Sequence, residues 1–236
     1  MRRILFPALA AAAALAFRHR MLTWGATAEE AAADYPGDEL ITDPTGRSTM
    51  ATTLPAPPEA VWPWLVQMGS ERAGWYSWDL FDNRGRPSAT QILPQWQLLR
   101  EGDRIDASPD GGLFFTVAAI DRPATLVLRS DIDVSNRRSF DPRGPLPQRF
   151  ADGIWAFHLT ELPGGRTRLV VRTVGRSGPR LPMALFDRLL GEPAHFIMQR
   201  RQFTNLRGRV ETTPAPGQSA NGDRRTAVAG AAQETR

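Results

Sequence analysis

Few side chains in this sequence have the types and spacings that catalysis usually requires. The chain contains no cysteine, which excludes thiolate nucleophiles, disulfides and cysteine metal ligands. It contains three histidines, His19, His158 and His195, and a three-histidine metal site would need one ligand from the N-terminal segment. We therefore expect neither a metal site nor a cofactor.

Structural roles explain the histidines better than catalysis does. His158 belongs to an alternating run with Trp155 and Phe157 and falls on the opposite side from them, which indicates a surface position on the outer face of a sheet. His195 could reach the mouth of a cavity, but its place in a helical segment favours a helix-surface or capping role.

Nucleophile and phosphate motifs are absent as well. There is no G-x-S-x-G sequence, and a chain without lysine cannot form the G-x-x-x-x-G-K-[ST] loop. Acid–base catalysis by a carboxylate remains, because burial can raise the pKa of a carboxyl group toward neutrality. The available groups, Asp79, Asp82, Asp106 and Asp131, are each explained by a cap, a turn or solvation, so we assign no catalytic residue.

Aromatic side chains indicate binding. Seven Trp, eleven Phe and two Tyr provide enough surface to line an apolar pocket, although single rings in a small domain usually only fill the core. Trp75, Tyr76, Trp78 and Trp96 form a group whose indole and phenol groups add hydrogen-bond donors to an apolar wall. That combination is typical of small-molecule pockets.

A strand and a helix precede this aromatic group. An alternating segment at 48–54 leads directly into a helix at 58–68, which starts on proline and has a continuous apolar face. Pro63 predicts that this helix is bent or broken. Nearer the N-terminus, Thr27 and Glu30 form a capping box for a short helix at 28–33, which either packs onto the domain or merely precedes it.

Further alternating segments predict an antiparallel sheet. They lie at 103–107, 113–121, 125–131, 154–162 and 167–174. Pro-Gly-Gly at 163–165 makes the last two a hairpin. Trp155, Phe157 and Leu159 then share the cavity face with Leu169, Val171 and Thr173, while Arg168 and Arg172 point away. The segment 135–150 is predicted to be a long loop.

A long helix ends the folded part of the chain. It runs from 182 to about 210 and carries an apolar stripe formed by Leu189, Phe196, Phe203, Leu206 and Val210. Pro193 predicts a kink, so that the first part of the helix, with Met183 and Phe186, diverges and opens one mouth of a cavity.

Several of these segments resemble a known family in their order along the chain. They are residues 57–69, the run Gly-Trp-Tyr-Ser-Trp-Asp at 74–79, 92–97 with 102–105, and 190–196. The sequence resembles the SRPBCC or START-like superfamily, in particular its bacterial polyketide cyclase/dehydrase and lipid-transport-like members. The resemblance implies an α+β helix-grip fold, in which a curved antiparallel sheet wraps around a long C-terminal helix and leaves an apolar cavity.

The resemblance and the aromatic group together suggest which residues contact a ligand. The predicted ligand-binding residues are Trp75, Tyr76, Trp78, Asp79, Trp96, Phe115, Trp155, Phe157, Val171, Met183, Phe186 and Phe196. We expect the protein to bind a hydrophobic or aromatic small molecule, lipid or polyketide-like, as a carrier or sensor. Two alternatives stay open: a cyclase/dehydrase-type enzyme with carboxylate or tyrosine acid–base residues such as Tyr76, and a membrane-peripheral lipid-transfer protein.

Composition limits the partners. The formal net charge is +4 and all the basic residues are arginine, but they are weakly clustered and lie in no nucleic-acid-binding motif, so we expect no nucleic-acid partner. The apolar run at 4–17 is too short for an ordinary spanning helix and is a candidate for peripheral membrane contact or for a signal peptide. We expect a cytoplasmic protein, with membrane association or export as alternatives. The sequence favours no oligomeric state.

The domain organisation follows from the same patterns. With 236 residues and 42% hydrophobic content, the chain can bury one good core. We divide it into an apolar segment at 1–20, an extension with a short helix at 21–47, the helix-grip domain at 48–211 and a disordered tail at 212–236. The tail has almost no large apolar residue.

Overall fold

Seven antiparallel strands form a single curved sheet in the computed structural model, which describes residues 2–108 and 110–212. The strands are β1 (Gly46–Leu54), β2 (Arg104–Asp106), β3 (Phe114–Asp121), β4 (Thr125–Asp133), β5 (Arg138–Ser139), β6 (Phe150–Leu162) and β7 (Arg166–Gly178). Their order is β1-β7-β6-β4-β3-β2, with the short β5 paired to β4, and the sheet does not close. The tail predicted at 212–236 lies outside the described residues, apart from Thr212.

The helices lie before, within and after the sheet. They are α1 (Arg2–Leu22), α2 (Ala28–Ala32), α3 (Pro58–Val66), α4 (Asp79–Asp82), α5 (Arg180–Phe186) and α6 (Glu192–Thr212). A π-helical turn at Asp187–Gly191 joins α5 to α6, so the C-terminal helical segment is almost continuous. The predicted α+β fold, an antiparallel curved sheet with a long C-terminal helix, is confirmed.

Three local predictions need correction or refinement. The segment 135–150 is not all loop, because β5 within it pairs with β4. The helix α3 continues three residues past Pro63, so the proline does not break it. The irregularity expected at Pro193 takes the form of the π-helical turn just before α6, because a proline has no amide to donate to the carbonyl one turn earlier.

The main core lies between the inner face of the sheet and helices α3 and α6. Trp64 and Leu65 of α3 and Leu206 of α6 are completely buried there, together with Phe157 of β6 and Leu169 of β7. These strand residues belong to the alternating set that the sequence assigns to the inner side. The β6–β7 hairpin pairs Leu162 with Arg166 across the predicted turn and is confirmed.

The outer face of the sheet is covered by the segment between α1 and β1. Arg168, Arg172 and Arg176 lie four residues apart on β7 and therefore share this face. Each binds an acidic side chain. Arg168 reaches Glu30 at 2.6 Å, Arg172 reaches Asp38 at 2.8 Å and Arg176 reaches Asp152 at 2.8 Å. We call these three residues the arginine ladder.

The ladder fixes the N-terminal segment on the domain. The capping box of Thr27 and Glu30 forms as predicted, and Glu30 also accepts hydrogen bonds from Arg168. Arg176 donates to the hydroxyl of Thr42 at 3.1 Å. The short helix therefore packs onto the domain and does not merely precede it.

His158 lies on the outer face, but the prediction of a surface position is wrong. The N-terminal segment covers it, and its ring centroid lies 4.8 Å from that of Tyr35. Burial lowers the pKa of His158 to about 4, and its Nε2 atom has no hydrogen-bond partner among the described residues. The imidazole is therefore neutral at pH 7.

Candidate functional site

Two adjacent cavities lie between the inner face of the sheet and the C-terminal helical segment. The inner cavity has a volume of about 330 Å³ and is lined by Trp75, Ser77, Asp82, Ala107, Phe115, Trp155, Thr173, His195, Met198, Gln199 and Gln202. The adjoining cavity, also about 330 Å³, extends toward α1, α5 and the π-helical turn. Phe115, Trp155, Thr173 and His195 line both, so the two spaces meet at these four side chains.

Three aromatic rings form the apolar wall of the inner cavity. The ring centroids of Trp75 and Trp155 are 5.5 Å apart, and Phe115 lies 5.5 Å from Trp75 and 5.8 Å from Trp155. Phe157 supports Trp155 from behind at 4.9 Å. These distances are typical of packed aromatic pairs, so each ring limits the movement of the others.

A second wall of the inner cavity is a polar face of α6. His195, Met198, Gln199 and Gln202 lie on one side of the helix at spacings of three and four residues. The Oε1 atom of Gln199 accepts a hydrogen bond from Trp155 Nε1 at 3.1 Å, and its Nε2 atom donates to Gln202 Oε1 at 2.8 Å. This chain of bonds holds the indole of Trp155 in place.

The loop that carries Trp75 is also tied to α6. Gln202 Nε2 donates to the carbonyl of Trp75 at 2.9 Å, and Ser77 Oγ donates to the carbonyl of Met198 at 3.2 Å. Asn205 Nδ2 donates to the carbonyl of Tyr76 at 2.9 Å. The sheet, loop and helix walls of the inner cavity are thus connected by hydrogen bonds and do not depend on a ligand for their arrangement.

Two ionisable groups of the inner cavity lack such partners. Both carboxylate oxygens of Asp82, at the end of α4, are buried and accept no hydrogen bond from a side chain of the described residues. The backbone amides of Trp78 and of Asp82 itself are the donors that act on them, and their effect is smaller than that of burial. Burial, with a smaller effect from the charge of Asp79, raises the pKa of Asp82 to about 6. The Nε2 atom of His195 is also buried and unpartnered, and burial lowers the pKa of His195 to about 4. The expected helix-surface or capping role of His195 is therefore wrong.

The predicted ligand residues occupy three kinds of position. Trp75, Phe115 and Trp155 line the inner cavity. Tyr76, Phe157 and Val171 are buried in the core behind its walls. The others lie elsewhere on the described surface or in its loops: Trp78, Asp79, Trp96, Met183, Phe186 and Phe196.

Tyr76 is held in the core by its own contacts. Its hydroxyl accepts a hydrogen bond from Gln67 Nε2 at 2.7 Å, and burial raises the pKa of the phenol above its ordinary value. Asp79 accepts a hydrogen bond from the Ser88 hydroxyl at 2.5 Å, which fixes the start of α4. Both residues therefore shape the loop that carries Trp75.

The remaining predicted residues make contacts away from the inner cavity. Trp78 is 43% exposed beneath Arg201, and Trp96 packs against the guanidinium of Arg72 at 4.5 Å. Phe196 lines a separate groove beside Trp24. Met183 and Phe186 lie on α5, and the Phe186 side chain is 55% exposed.

The polar half of the site was not predicted from the sequence. It comprises Ser77, Gln199, Gln202 and Asp82, of which only Asp82 had a predicted role, as a cap or turn residue. One pattern pointed to them: His195, Gln199 and Gln202 recur at helical spacing, as a buried face would. Glutamines are usually exposed, so the apolar stripe of the helix, and not its glutamines, was predicted to be the buried face.

Searches with known proteins found no matching family model and no curated protein with significant similarity. Among solved structures, protein MLL2253 from Mesorhizobium loti aligns at 19% identity with a TM-score of 0.43, covering 72% of this chain and 99% of that one. A protein from Arthrobacter aurescens aligns at 13% identity and a TM-score of 0.41, covering 78% and 94%. DynU16, from the dynemicin biosynthetic locus, aligns at 18% identity and a TM-score of 0.41, covering 72% and 48%.

None of the helices in the described part of the chain combines the length and the apolar character needed to cross a membrane.

Proposed function

We propose that this protein binds a hydrophobic or aromatic small molecule in the inner cavity and acts as a carrier or sensor. The observation that carries the proposal is the space of about 330 Å³ left open beside Trp75, Phe115 and Trp155. Aromatic residues of a small domain usually pack against one another until no such space remains. Here their positions are fixed by hydrogen bonds to α6, so the space is maintained.

The energetics of burial support such a role. An apolar ligand that buries about 200 Å² gains roughly 5 kcal/mol from the hydrophobic effect before association costs. Because the walls are already arranged, little further free energy is needed to order them. No nucleophile or metal is required for this function.

For the alternative function as a cyclase/dehydrase-type enzyme, the structure leaves fewer candidate acid–base residues than the sequence did. Tyr76 does not line either cavity, and its raised pKa makes it a poor proton donor or acceptor at neutral pH. Asp82 is the carboxylate that faces the inner cavity with a pKa near neutrality. A cyclase or dehydrase reaction here would therefore depend on Asp82 and not on Tyr76.

Binding to a lipid surface is a second candidate function. Exposed apolar side chains in two regions of the structure favour it. Leu9, Leu15 and Phe17 of α1 are 70%, 67% and 69% exposed. The α5 segment and the following turn expose Leu181, Leu185, Phe186, Leu189 and Leu190. The two regions are joined by the ion pair of Arg18 with Glu192, and Ala184 and Arg188 border the adjoining cavity. A docked protein would thus present this cavity to the lipid.

A blocking variant tests the main proposal. Thr173→Trp places an indole at a position that lines both cavities, whereas Thr160→Trp places it on the exposed end of β6. Native mass spectrometry and thermal shifts with fatty alcohols, fatty amines and anthraquinones should detect binding to the wild type and to Thr160→Trp, but not to Thr173→Trp. Absence of binding to the wild type, or unchanged binding to Thr173→Trp, would contradict the proposal.

A further inference from the structure

Most polar groups of the inner cavity are paired with one another. Trp155, Gln199, Gln202 and the carbonyl of Trp75 form one connected chain of hydrogen bonds, and the Ser77 hydroxyl is bonded to the backbone of α6. Each of these groups is neutral and already has at least one partner within the protein. They surround two ionisable groups that have no side-chain partner among the described residues.

The carboxylate of Asp82 is the first of these groups. It lines the inner cavity, and no arginine in residues 2–108 and 110–212 forms an ion pair or hydrogen bond with it. The charge that acts on it most strongly is that of Asp79, which repels. Its donors are the backbone amides of Trp78 and of Asp82 itself, which carry no full charge. A buried carboxylate without a counter-ion is costly, and the cost is relieved when a cation binds to it.

The imidazole of His195 is the second group. It lines the same cavity from α6, one turn before Gln199, and its buried Nε2 atom has no hydrogen-bond partner among the residues that the structure describes. In the neutral tautomer that carries its proton on Nδ1, the Nε2 atom accepts a hydrogen bond. The cavity then presents the carboxylate of Asp82 and this nitrogen within an aromatic lining, and aromatic faces also attract cations.

We infer that the ligand of the inner cavity is a hydrophobic amine, whose ammonium group pairs with the carboxylate of Asp82 and donates a second hydrogen bond to Nε2 of His195. The inference rests on the function proposed above and specifies its ligand. The apolar part of the amine packs against Trp75, Phe115 and Trp155. A carboxylic acid of the same length is disfavoured, because its charge would lie beside that of Asp82.

Three ten-carbon probes with different head groups test this inference: n-decylamine, 1-decanol and decanoate. Binding to the full chain is measured at pH 7.5 by calorimetry and tryptophan fluorescence, below the concentrations at which the probes aggregate. We expect decylamine to bind at least about tenfold more tightly than decanoate, as one charge-assisted hydrogen bond to a buried group would produce.

Substitutions test whether Asp82 causes the preference for the amine. Asp82→Asn should weaken decylamine binding by about tenfold or more while decanol binding changes by less than about threefold. Asp34→Asn removes an exposed carboxylate of the N-terminal segment that lines neither cavity, and it should leave the preference for the amine in place. Melting temperatures of both variants check that the fold is retained, and the comparison of probes on the wild type does not depend on either variant.

The outcomes separate this inference from the proposed function. If decanoate binds as tightly as decylamine, or if Asp82→Asn keeps the amine preference, the inference is wrong while the cavity still binds hydrophobic molecules. If none of the probes and none of the aromatic compounds binds, the proposed function fails as well.

Discussion

The guanidinium of Arg172 and the carboxylate of Asp38 form a two-pronged ion pair that links the last strand of the sheet to the segment before the first. Arg172 Nε lies 3.0 Å from Asp38 Oδ1, and Arg172 Nη2 lies 2.8 Å from Asp38 Oδ2. The Arg172 side chain has no exposed surface. Arg172 also donates to Thr49 on the neighbouring strand β1. One buried cation thus joins three parts of the chain.

Removing this cation should be costly. Arg172→Met leaves Asp38 without its main partner, and we expect the free energy of unfolding to fall by about 3–5 kcal/mol. The control is Arg180→Met, because the pair of Arg180 with Asp43 is 71% and 77% exposed and should contribute less than about 1 kcal/mol. Urea denaturation measures both. Equal effects for the two variants would show that burial of the Arg172 pair is unimportant.

A glycine within the N-terminal segment, Gly25, gives a second prediction. Gly25 has a φ of +74°, and a Cβ atom there would lie 2.1 Å from the carbonyl oxygen of Ala51 on β1. Gly25→Ala should therefore destabilise the protein by more than about 2 kcal/mol. Gly164 has a similar φ of +82° with open space around it, so Gly164→Ala should cost only about 1 kcal/mol. Thermal denaturation of the two variants tests this prediction. Similar losses of stability in Gly25→Ala and Gly164→Ala would contradict it.

The buried imidazole of His158 should make stability depend on pH. As the pH falls from 6.5 to about 4, the unfolded chain binds a proton at this histidine while the folded chain does not, so the free energy of unfolding decreases. The expected loss is roughly 3 kcal/mol across this range. His158→Leu should remove it, whereas His19→Leu alters an exposed histidine on α1 and is the control.

The contribution of His158 is measured as the difference in the pH dependence of stability between the wild type and His158→Leu. Burial raises the pKa of Asp82 to about 6 and that of Asp131 to about 7, so these carboxyl groups make the folded state bind more protons and become more stable as the pH falls. Their contribution opposes that of His158 and is common to all the variants. Identical pH profiles for the wild type and His158→Leu would disprove the prediction.

Binding to lipid vesicles tests the second candidate function. A variant with Leu185→Asp and Leu189→Asp places two charges on the exposed side of α5 and the following turn, where the side chains are 60% and 65% exposed. We expect its partitioning onto anionic vesicles to fall at least about tenfold, because apolar contact is lost and repulsion is added. Leu98→Asp, at a position that is 75% exposed elsewhere on the surface, should have no effect. Equal sedimentation of all three proteins with vesicles would exclude docking through α5.

Much of the fold follows from local patterns in the sequence. Alternation located the six longer elements of the sheet, and Pro-Gly-Gly located the β6–β7 hairpin. The coverage of the outer face could not be predicted in this way. Arginines at 168 and 172 resemble a solvated strand face, and only their long-range pairing with Glu30 and Asp38 shows that the face is buried.

Only part of the candidate site was predicted, because local sequence patterns indicate apolar walls but not long-range polar pairing. The aromatic wall was accessible to sequence reasoning, because Trp75, Phe115 and Trp155 are large apolar residues in the right elements. The polar wall was not, since Gln199 and Gln202 can be buried only when each finds a partner on another element, and such pairing leaves no local pattern.

The meeting of the two cavities at Phe115, Trp155, Thr173 and His195 has a consequence for how they are filled. Because each of these four side chains borders both cavities, a change of rotamer in any one of them alters the volume of both at the same time. Occupancy of one cavity is therefore coupled to the size of the other.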